Sequence, residues 1–441
     1  MKLKMNKLLM FIGIIFYVCG LHVVYTYFIS PEFSYFGYIN LHPSKLVQTV
    51  SLIFVLFPLL FFDTKVKVPS RVVFWIIYTM VYIPAMIVPD YVRLNGFDEI
   101  INLKISLLVA LFLLYFVSEL PKLPIYSFKN STAATGGLLI LFSLSMWAII
   151  IQTFGLHFNF SEVDDVYDLR EAYRDQVNRF SGYAINWQSK IINALLVALG
   201  IIKKQYWFIF IGVFGQIFIF SITGQKSVAL SSVFILGIIF CVQKNGKYFV
   251  LRFIYSLIGL ICLTAGVDKI FNSSEYTSLF VRRMLITPGL LLSYYFDFFS
   301  DNPKIYLSHS IFKSFIDYPY DRLPPFLIGK EFFGREDLAA NANLWADSFA
   351  NFGYLGILFF TLILAGILYL YDCISNNRNF IVSVVLIAMP AWSLVDTSLM
   401  TSILTHGILL ALLINYFFKT NREEEWHSEK NIDLQLRPYL E

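Results

Sequence analysis

The sequence predicts an all-α polytopic membrane protein with about twelve transmembrane helices and two long outer loops. Three observations carry that prediction. Hydrophobic residues make up 57% of the 441 and charged residues 15%, with a mean hydropathy of +0.66. Soluble domains carry about 25% charged residues. Apolar runs recur along the whole chain, and a bilayer core needs about 20 apolar residues per helix. Lysines and arginines collect in alternate connections, as topology-setting charges do.

The apolar runs fall at 8–28, 46–62, 72–88, 100–117, 136–154, 185–202, 206–222, 228–242, 249–266, 354–371, 380–395 and 399–418. Several are short enough to suit re-entrant segments. The first follows Lys2, Lys4 and Lys7 and lacks a small-residue cleavage site, which favours a retained helix over a signal peptide. With the N-terminus cytoplasmic, the inner connections hold Lys65, Lys67 and Arg71; Lys122 and Lys129; Lys203 and Lys204; Lys244 and Lys247; and Arg378. The tail opens with Lys419 and Arg422, whereas the outer turns hold little beyond Lys45, Arg93 and Lys226. The asymmetry places both termini on the cytoplasmic side of the membrane.

The chain divides into a bundle at 1–266, a long outer (periplasmic) stretch at 267–353, C-terminal transmembrane helices at 354–418 and a cytoplasmic tail at 419–441. The net charge of +4 is dispersed between spans, which speaks for topology and against nucleic acid. The four cysteines sit in or beside apolar runs, and the six histidines form no His-x-x-x-His pair. Neither a disulfide framework nor a metal site is expected, and no cofactor is implied.

The first long outer loop, 155–183, contains SEVDDVYDLREAYRDQVNRF. Val166, Leu169, Tyr173, Val177 and Phe180 recur at spacings of three and four, the pattern of an amphipathic helix. Ser161 is placed to cap it, and the helix suits the outer interface. Arg170 and Arg174 share one face. Their guanidinium forks match phosphate oxygens, with surface pairing between Glu171 and Arg174 as the alternative. Tyr167 lies on the same segment and is a candidate for contact with the same ligand.

The second, 267–353, carries Arg282 and Arg283 ahead of the uncharged run 284–296, which Pro288-Gly289 interrupts. That run is too short to span and reads as a re-entrant or interfacial dip. The two arginines suit a diphosphate there, or simply snorkel at a helix end. Pro319, Pro324 and Pro325 mark irregular chain. Asp347 precedes the span expected at 354 and is a candidate general base; Asn341 and Asn343 offer donors and acceptors for sugar hydroxyls. Helix capping is the competing role for these asparagines. Lys226 lies in the turn Gly224-Gln225-Lys226-Ser227 and adds positive charge on the same side. Lys190 and Asp396 rank lower, as cavity-lining or mutually paired groups near outer span ends. His309 ranks lower still.

VYDLREAYR at 166–174, TGQKS at 223–227, RRMLITPGLLLSYYFDFF at 282–299 and NANLWADSFANFGYLG at 341–356 resemble bacterial O-antigen and polysaccharide repeat-unit polymerases of the Wzy type. The last string also echoes O-antigen ligases, which show His-Asn, nine residues, then Gly-x-x-Gly; Asn343, Gly353 and Gly356 keep that spacing, but Ala342 stands at the histidine position. The resemblance implies a membrane glycosyltransferase of surface polysaccharide or lipopolysaccharide biosynthesis. It would transfer a growing glycan from undecaprenyl diphosphate to the non-reducing sugar of a new lipid-linked unit. It implies undecaprenyl-diphosphate-linked glycans and membrane lipids as partners, beside a chain-length regulator and a flippase of the same pathway. Arginines stabilise charge on a diphosphate leaving group without a metal. A lipid-linked oligosaccharide flippase and an O-antigen ligase are the rival expectations.

Overall fold

The computed structural model describes residues 2–92, 97–126, 132–156, 166–243, 246–310, 312–376 and 378–419. Among these residues every regular element is a helix. In chain order they are α1 (Met5–Phe36), α2 (Lys45–Leu60), α3 (Pro69–Val92), α4 (Ile100–Glu119), α5 (Ala133–Phe154) and α6 (Val166–Gln176). Next come α7 (Arg179–Ile202), α8 (Tyr206–Thr223), α9 (Lys226–Val242) and α10 (Phe249–Phe271). A π-helical stretch, Thr277–Ile286, leads into α11 (Thr287–Asp301). α12 (Pro324–Phe333), α13 (Leu344–Ser375), α14 (Phe380–Ser393) and α15 (Leu399–Phe417) complete the chain. Nine of the described helices are long and apolar enough to cross a membrane, and α2, α9 and α14 are shorter apolar helices. Each of the twelve apolar runs read from the sequence coincides with one of these.

α3 is the central helix. Its membrane-length window is wholly buried, as an all-round apolar helix requires. Pro84 has no N–H to give the carbonyl of residue 80. The helix widens to a π turn over Tyr78–Tyr82, where the Ile83 N–H reaches back to Tyr78. α11 and α14 pack on α3, α4 and α11 pack on α13, and α1 packs on α10.

The connections with excess Lys and Arg meet at one end of the bundle. Val66 pairs with the Gly246 carbonyl at 3.3 Å, Lys122 reaches Asp372 at 3.3 Å, and Tyr416 donates to the Tyr126 carbonyl at 2.9 Å. Arg71 pairs with Glu119 and lies 3.4 Å from the Tyr115 ring centre. The long stretches after α5 and α10 meet at the other end.

Three sequence expectations change. The run 284–296, expected as a re-entrant or interfacial segment, lies inside the bundle rather than on its surface. It forms the end of the π stretch and most of α11, and Pro288 through Phe296 are buried. Pro288 sits in the first turn of α11, where its missing N–H costs nothing. The helix of the first long loop does not run on to 180. Asn178 starts a new helix with a reciprocal cap to Ser181, 3.0 Å in each direction, so Phe180 belongs to α7. The span expected from 354 does start there, just after a break at Phe352-Gly353, but a further helix from Leu344 leads into that break. Ser161, Arg93, Lys129, Lys244, Arg422 and the tail beyond 419 lie outside the described residues.

That break sets the site. Gly353 has φ 63° and ψ −145°, a backbone region open in practice to glycine alone. A Cβ on Gly356 would collide with the Ser348 carbonyl. The glycines therefore split α13 into a half-helix carrying Asp347 and a long apolar span. The chain at 305–307 is pinned to the end of the half-helix: Ile305 donates to the Ala350 carbonyl at 3.0 Å and Leu307 to Asn351 Oδ1 at 2.8 Å.

Candidate functional site

A cavity of about 710 Å³ opens at the end of the bundle where the long stretches meet. Cations line it from four elements: Arg170 of α6, Lys190 of α7, Lys226 at the start of α9 and Arg283 of the π stretch. Asp347, Asp396, Asn341, His309 and His406 are among the other polar residues of its wall. Both long stretches and the turn before α9 thus converge on one hollow.

Local chain geometry explains each placement. Gly224, at φ 60°, ends α8 in a left-handed cap and turns the chain so that Lys226 opens α9. Arg170 Nε donates to the Gly224 carbonyl at 2.9 Å, which ties α6 to that turn. Asn343 caps the half-helix, its Oδ1 accepting from the N–H of Trp345 and of Ala346, both at 3.0 Å. One turn later Asp347 is 7% exposed, facing the cavity. Among the described residues, the side chains of Asp347, Arg283 and Lys226 make no hydrogen bond or ion pair. Charges held apart from internal partners at a cavity wall remain available to a ligand. His309 is half-buried behind them, and burial pushes its imidazole below its ordinary pKa.

The other expected residues go elsewhere. Arg282 turns away: its guanidinium lies 4.2 Å from the Phe33 ring centre and 5.4 Å from that of Tyr38, and its Nε donates to Ser278 at 2.9 Å. Asn343 spends its side chain on capping and on the Pro288 carbonyl, so it is buried outside the cavity. Arg174 is exposed and does not line the cavity, and no ion pair joins it to Glu171 among the described residues. The backbone of Tyr167 lies in α6; its side chain is outside the described residues.

Lys190 and Asp396, ranked low from sequence, line the same cavity, and His406 joins them. Lys190 Nζ lies 2.9 Å from Ser393 Oγ and 2.5 Å from His406 Nδ1. His406 lies hidden in an apolar run. A signal for it exists: Thr405-His406-Gly407 interrupts the last span, and Gly407 adopts φ 92°. An ionisable residue within a span is a functional candidate by default.

A second hollow of about 550 Å³ is lined only by apolar side chains, Leu307, Phe312, Phe352, Leu355, Phe359, Ile363 and Met400. Its lining comes from the chain after 305, from α13 at and beyond the Phe352-Gly353 break, and from the start of α15.

The fold and cavity define an α-helical, multi-pass membrane protein with a cationic chamber at one end of its bundle. No family model, curated protein or solved structure matches this chain. Among the described residues no cluster of three metal-ligating side chains occurs.

Proposed function

We propose that this protein is a polymerase of undecaprenyl-diphosphate-linked repeat units, acting at the outer face of a bacterial inner membrane with both termini cytoplasmic. The observation that carries the reading is the convergence of Arg170, Lys190, Lys226 and Arg283 with Asp347 on one chamber, in a fold that also holds an apolar groove. A lipid-linked sugar diphosphate needs those surfaces together. Cations hold the diphosphate and stabilise the charge that develops on it as the glycosidic bond forms. The groove suits the isoprenoid chain. Asp347 stands where a carboxylate can oppose the positive charge of an oxocarbenium-like transition state or take the acceptor proton. Asn341, exposed on the cavity wall, offers hydrogen bonds to sugar hydroxyls.

The test uses purified protein in detergent with lipid-linked oligosaccharide extracted from cells lacking this chain. A polymerase yields a ladder of longer glycans on the lipid. A flippase yields no new glycosidic bond, and a ligase moves glycan only onto a different acceptor. The absence of a ladder would sink the proposal.

A further inference from the structure

We infer that the turn at 312–316, between α11 and α12, is seated in the lipid leaflet at the chamber end of the bundle, with Phe312, Phe315 and Ile316 in its hydrocarbon. The surface concerned lies outside the chamber, and its seating does not rest on the polymerase reading.

The turn is amphipathic. The N–H groups of Phe315 and Ile316 both reach the Phe312 carbonyl at 2.9 Å, which winds the chain through one helical turn. Positions i, i+3 and i+4 of such a turn share a face. Phe312, Phe315 and Ile316 take that face, whereas Lys313, Ser314 and Asp317 take the other, and all six are exposed. Phe315 is 84% exposed, more than any other large apolar side chain among the described residues.

What covers this face follows from what it adjoins. Phe312 lines the apolar groove together with Leu355, Phe359 and Ile363 of α13. Those three recur every four residues, a single stripe on a helix long and apolar enough to cross a membrane. Leu355 is 76% exposed and Phe359 53%. Apolar side chains exposed on the flank of such a span meet lipid chains. At 1.5 Å per residue, the stripe from Leu355 to Ile363 descends about 12 Å. One leaflet supplies about 15 Å of hydrocarbon, half of the bilayer core. Phe312 is therefore level with the hydrocarbon of that leaflet and below the water. The apolar face of the turn continues the lipid-facing stripe of α13, and the chains that cover one cover the other. A short amphipathic segment with aromatic residues on its apolar face suits this depth.

The turn is held there from both ends. Before it, Tyr306 and Leu307 adopt φ of 53° and 56°, a left-handed conformation costly for residues with a Cβ. The end of the half-helix holds them in it. The Tyr306 N–H meets the Asn351 carbonyl at 3.2 Å, and the Leu307 N–H meets Asn351 Oδ1 at 2.8 Å. After the turn, Tyr320 packs on Phe298 and Phe299 of α11, with ring centres 5.8 and 6.0 Å apart, and donates to the Pro303 carbonyl at 2.6 Å. His309, in the same stretch, lines the chamber. The seat thus sets one wall of the chamber at the membrane boundary.

The experiment uses the full chain, with its native cysteines replaced, in phospholipid vesicles. Phe312→Cys, Lys313→Cys, Phe315→Cys, Ile316→Cys and Asp317→Cys each carry a nitroxide, and Leu355→Cys is the lipid-facing reference. Power saturation measures collisions with oxygen, which concentrates in hydrocarbon, and with a water-soluble nickel chelate. At positions 312, 315 and 316 the oxygen-to-nickel ratio should lie within about twofold of the reference. It should exceed the ratio at 313 and 317 by about fivefold or more. Equal nickel access at 315 and 317 overturns the inference. Shielding of 315 from both reagents overturns it too, since another protein surface, a second copy included, would then cover the face. Phe315→Trp gives an independent reading that keeps the side chain apolar. Its added emission should be quenched by lipids brominated on their acyl chains and spared by aqueous iodide; the opposite pattern places the turn in water and overturns the inference.

Discussion

Asn343 donates a 2.9 Å hydrogen bond from Nδ2 to the carbonyl of Pro288, 55 residues earlier. The same amide caps the half-helix that carries Asp347. Pro288 opens the helix that follows Arg283. One side chain thus fastens together the two segments that bring a carboxylate and a guanidinium to the same cavity. Removing the cap costs about 1 kcal/mol. Leaving a buried carbonyl unpaired costs about 1–3 kcal/mol more. Asn343→Ala should therefore lower the thermal unfolding midpoint in detergent clearly. Asn343→Asp retains the cap but turns a carboxylate toward the Pro288 carbonyl, and should be no more stable than the alanine variant. A wild-type midpoint for either would show that the tie is dispensable.

Arg282 and Arg283 are neighbours with different work. Arg283 lines the cavity, whereas Arg282 rests on the rings of Phe33 and Tyr38. Arg283→Ala should abolish pyrophosphate binding and long glycan while leaving the unfolding midpoint near wild type. Arg282→Ala should act the other way, destabilising by about 0.5–2 kcal/mol through the lost cation–π contacts. Arg174→Ala, outside the cavity, should retain activity. Equal effects from Arg282 and Arg283 on pyrophosphate affinity would contradict this division.

Gly353 tests the break in α13. Its φ of 63° and ψ of −145° strain any residue with a Cβ, at a cost of about 1–3 kcal/mol. Gly353→Ala should lower stability and misplace Asp347, so activity should fall with it. Gly366, further along the same helix, has an ordinary backbone, and a methyl group added there would meet nothing within 4 Å. Gly366→Ala should be neutral or stabilise by up to about 1 kcal/mol. Measuring both midpoints in one preparation separates the backbone effect from any general intolerance of the helix.

Much of this arrangement was legible in the residues. Arg170, Lys226, Arg283, Asn341 and Asp347 stood out because charge and amide groups are scarce in so apolar a chain, and all five line the cavity. What sequence spacing does not carry is direction. Arg282 and Arg283 look alike on paper, yet the π stretch turns one into the cavity and the other onto aromatic rings. The uncharged run 284–296 has the length of an interfacial segment and equally that of a buried helix, and burial against α3 and α13 decides between them. His406 is obscured by the apolar residues around it, although the glycine beside it marks the bend.

Within the spans, Lys104 reaches Asp90 Oδ1 and Ser51 Oγ, both at 2.6 Å, and Ser51 also bonds to the Asp90 carboxylate. This closed triad joins α2, α3 and α4 and is buried. Breaking one partner leaves the other charge uncompensated, at about 3–5 kcal/mol. Lys104→Met alone should therefore reduce expression and the unfolding midpoint sharply. Lys104→Met with Asp90→Leu removes both charges, and should recover most of the loss because a well-packed apolar pair is often as stable as a buried ion pair. The double-mutant cycle reads the coupling directly; additive losses would mean that the triad contributes nothing as a unit.

The sidedness of the bundle gives the last prediction. The cavity lies at the end reached by the turn before α9 and the stretch after α10, whereas the Lys203-Lys204 turn after α7 belongs to the lysine-rich connections. α8 separates the Lys203-Lys204 turn from Lys226, so those two sites lie on opposite faces if α8 crosses the membrane. Positive loops face the cytoplasm. A cysteine placed at Asn272, just after α10, should react with a membrane-impermeant maleimide in intact cells from which the outer barrier has been removed. A cysteine at Lys204 should react only after the membrane is opened. The native cysteines are replaced first, because Cys19 and Cys262 are exposed on the bundle surface. Labelling in the reverse order would put the cationic chamber in the cytoplasm, where an outer-face glycan polymerase has no use for it.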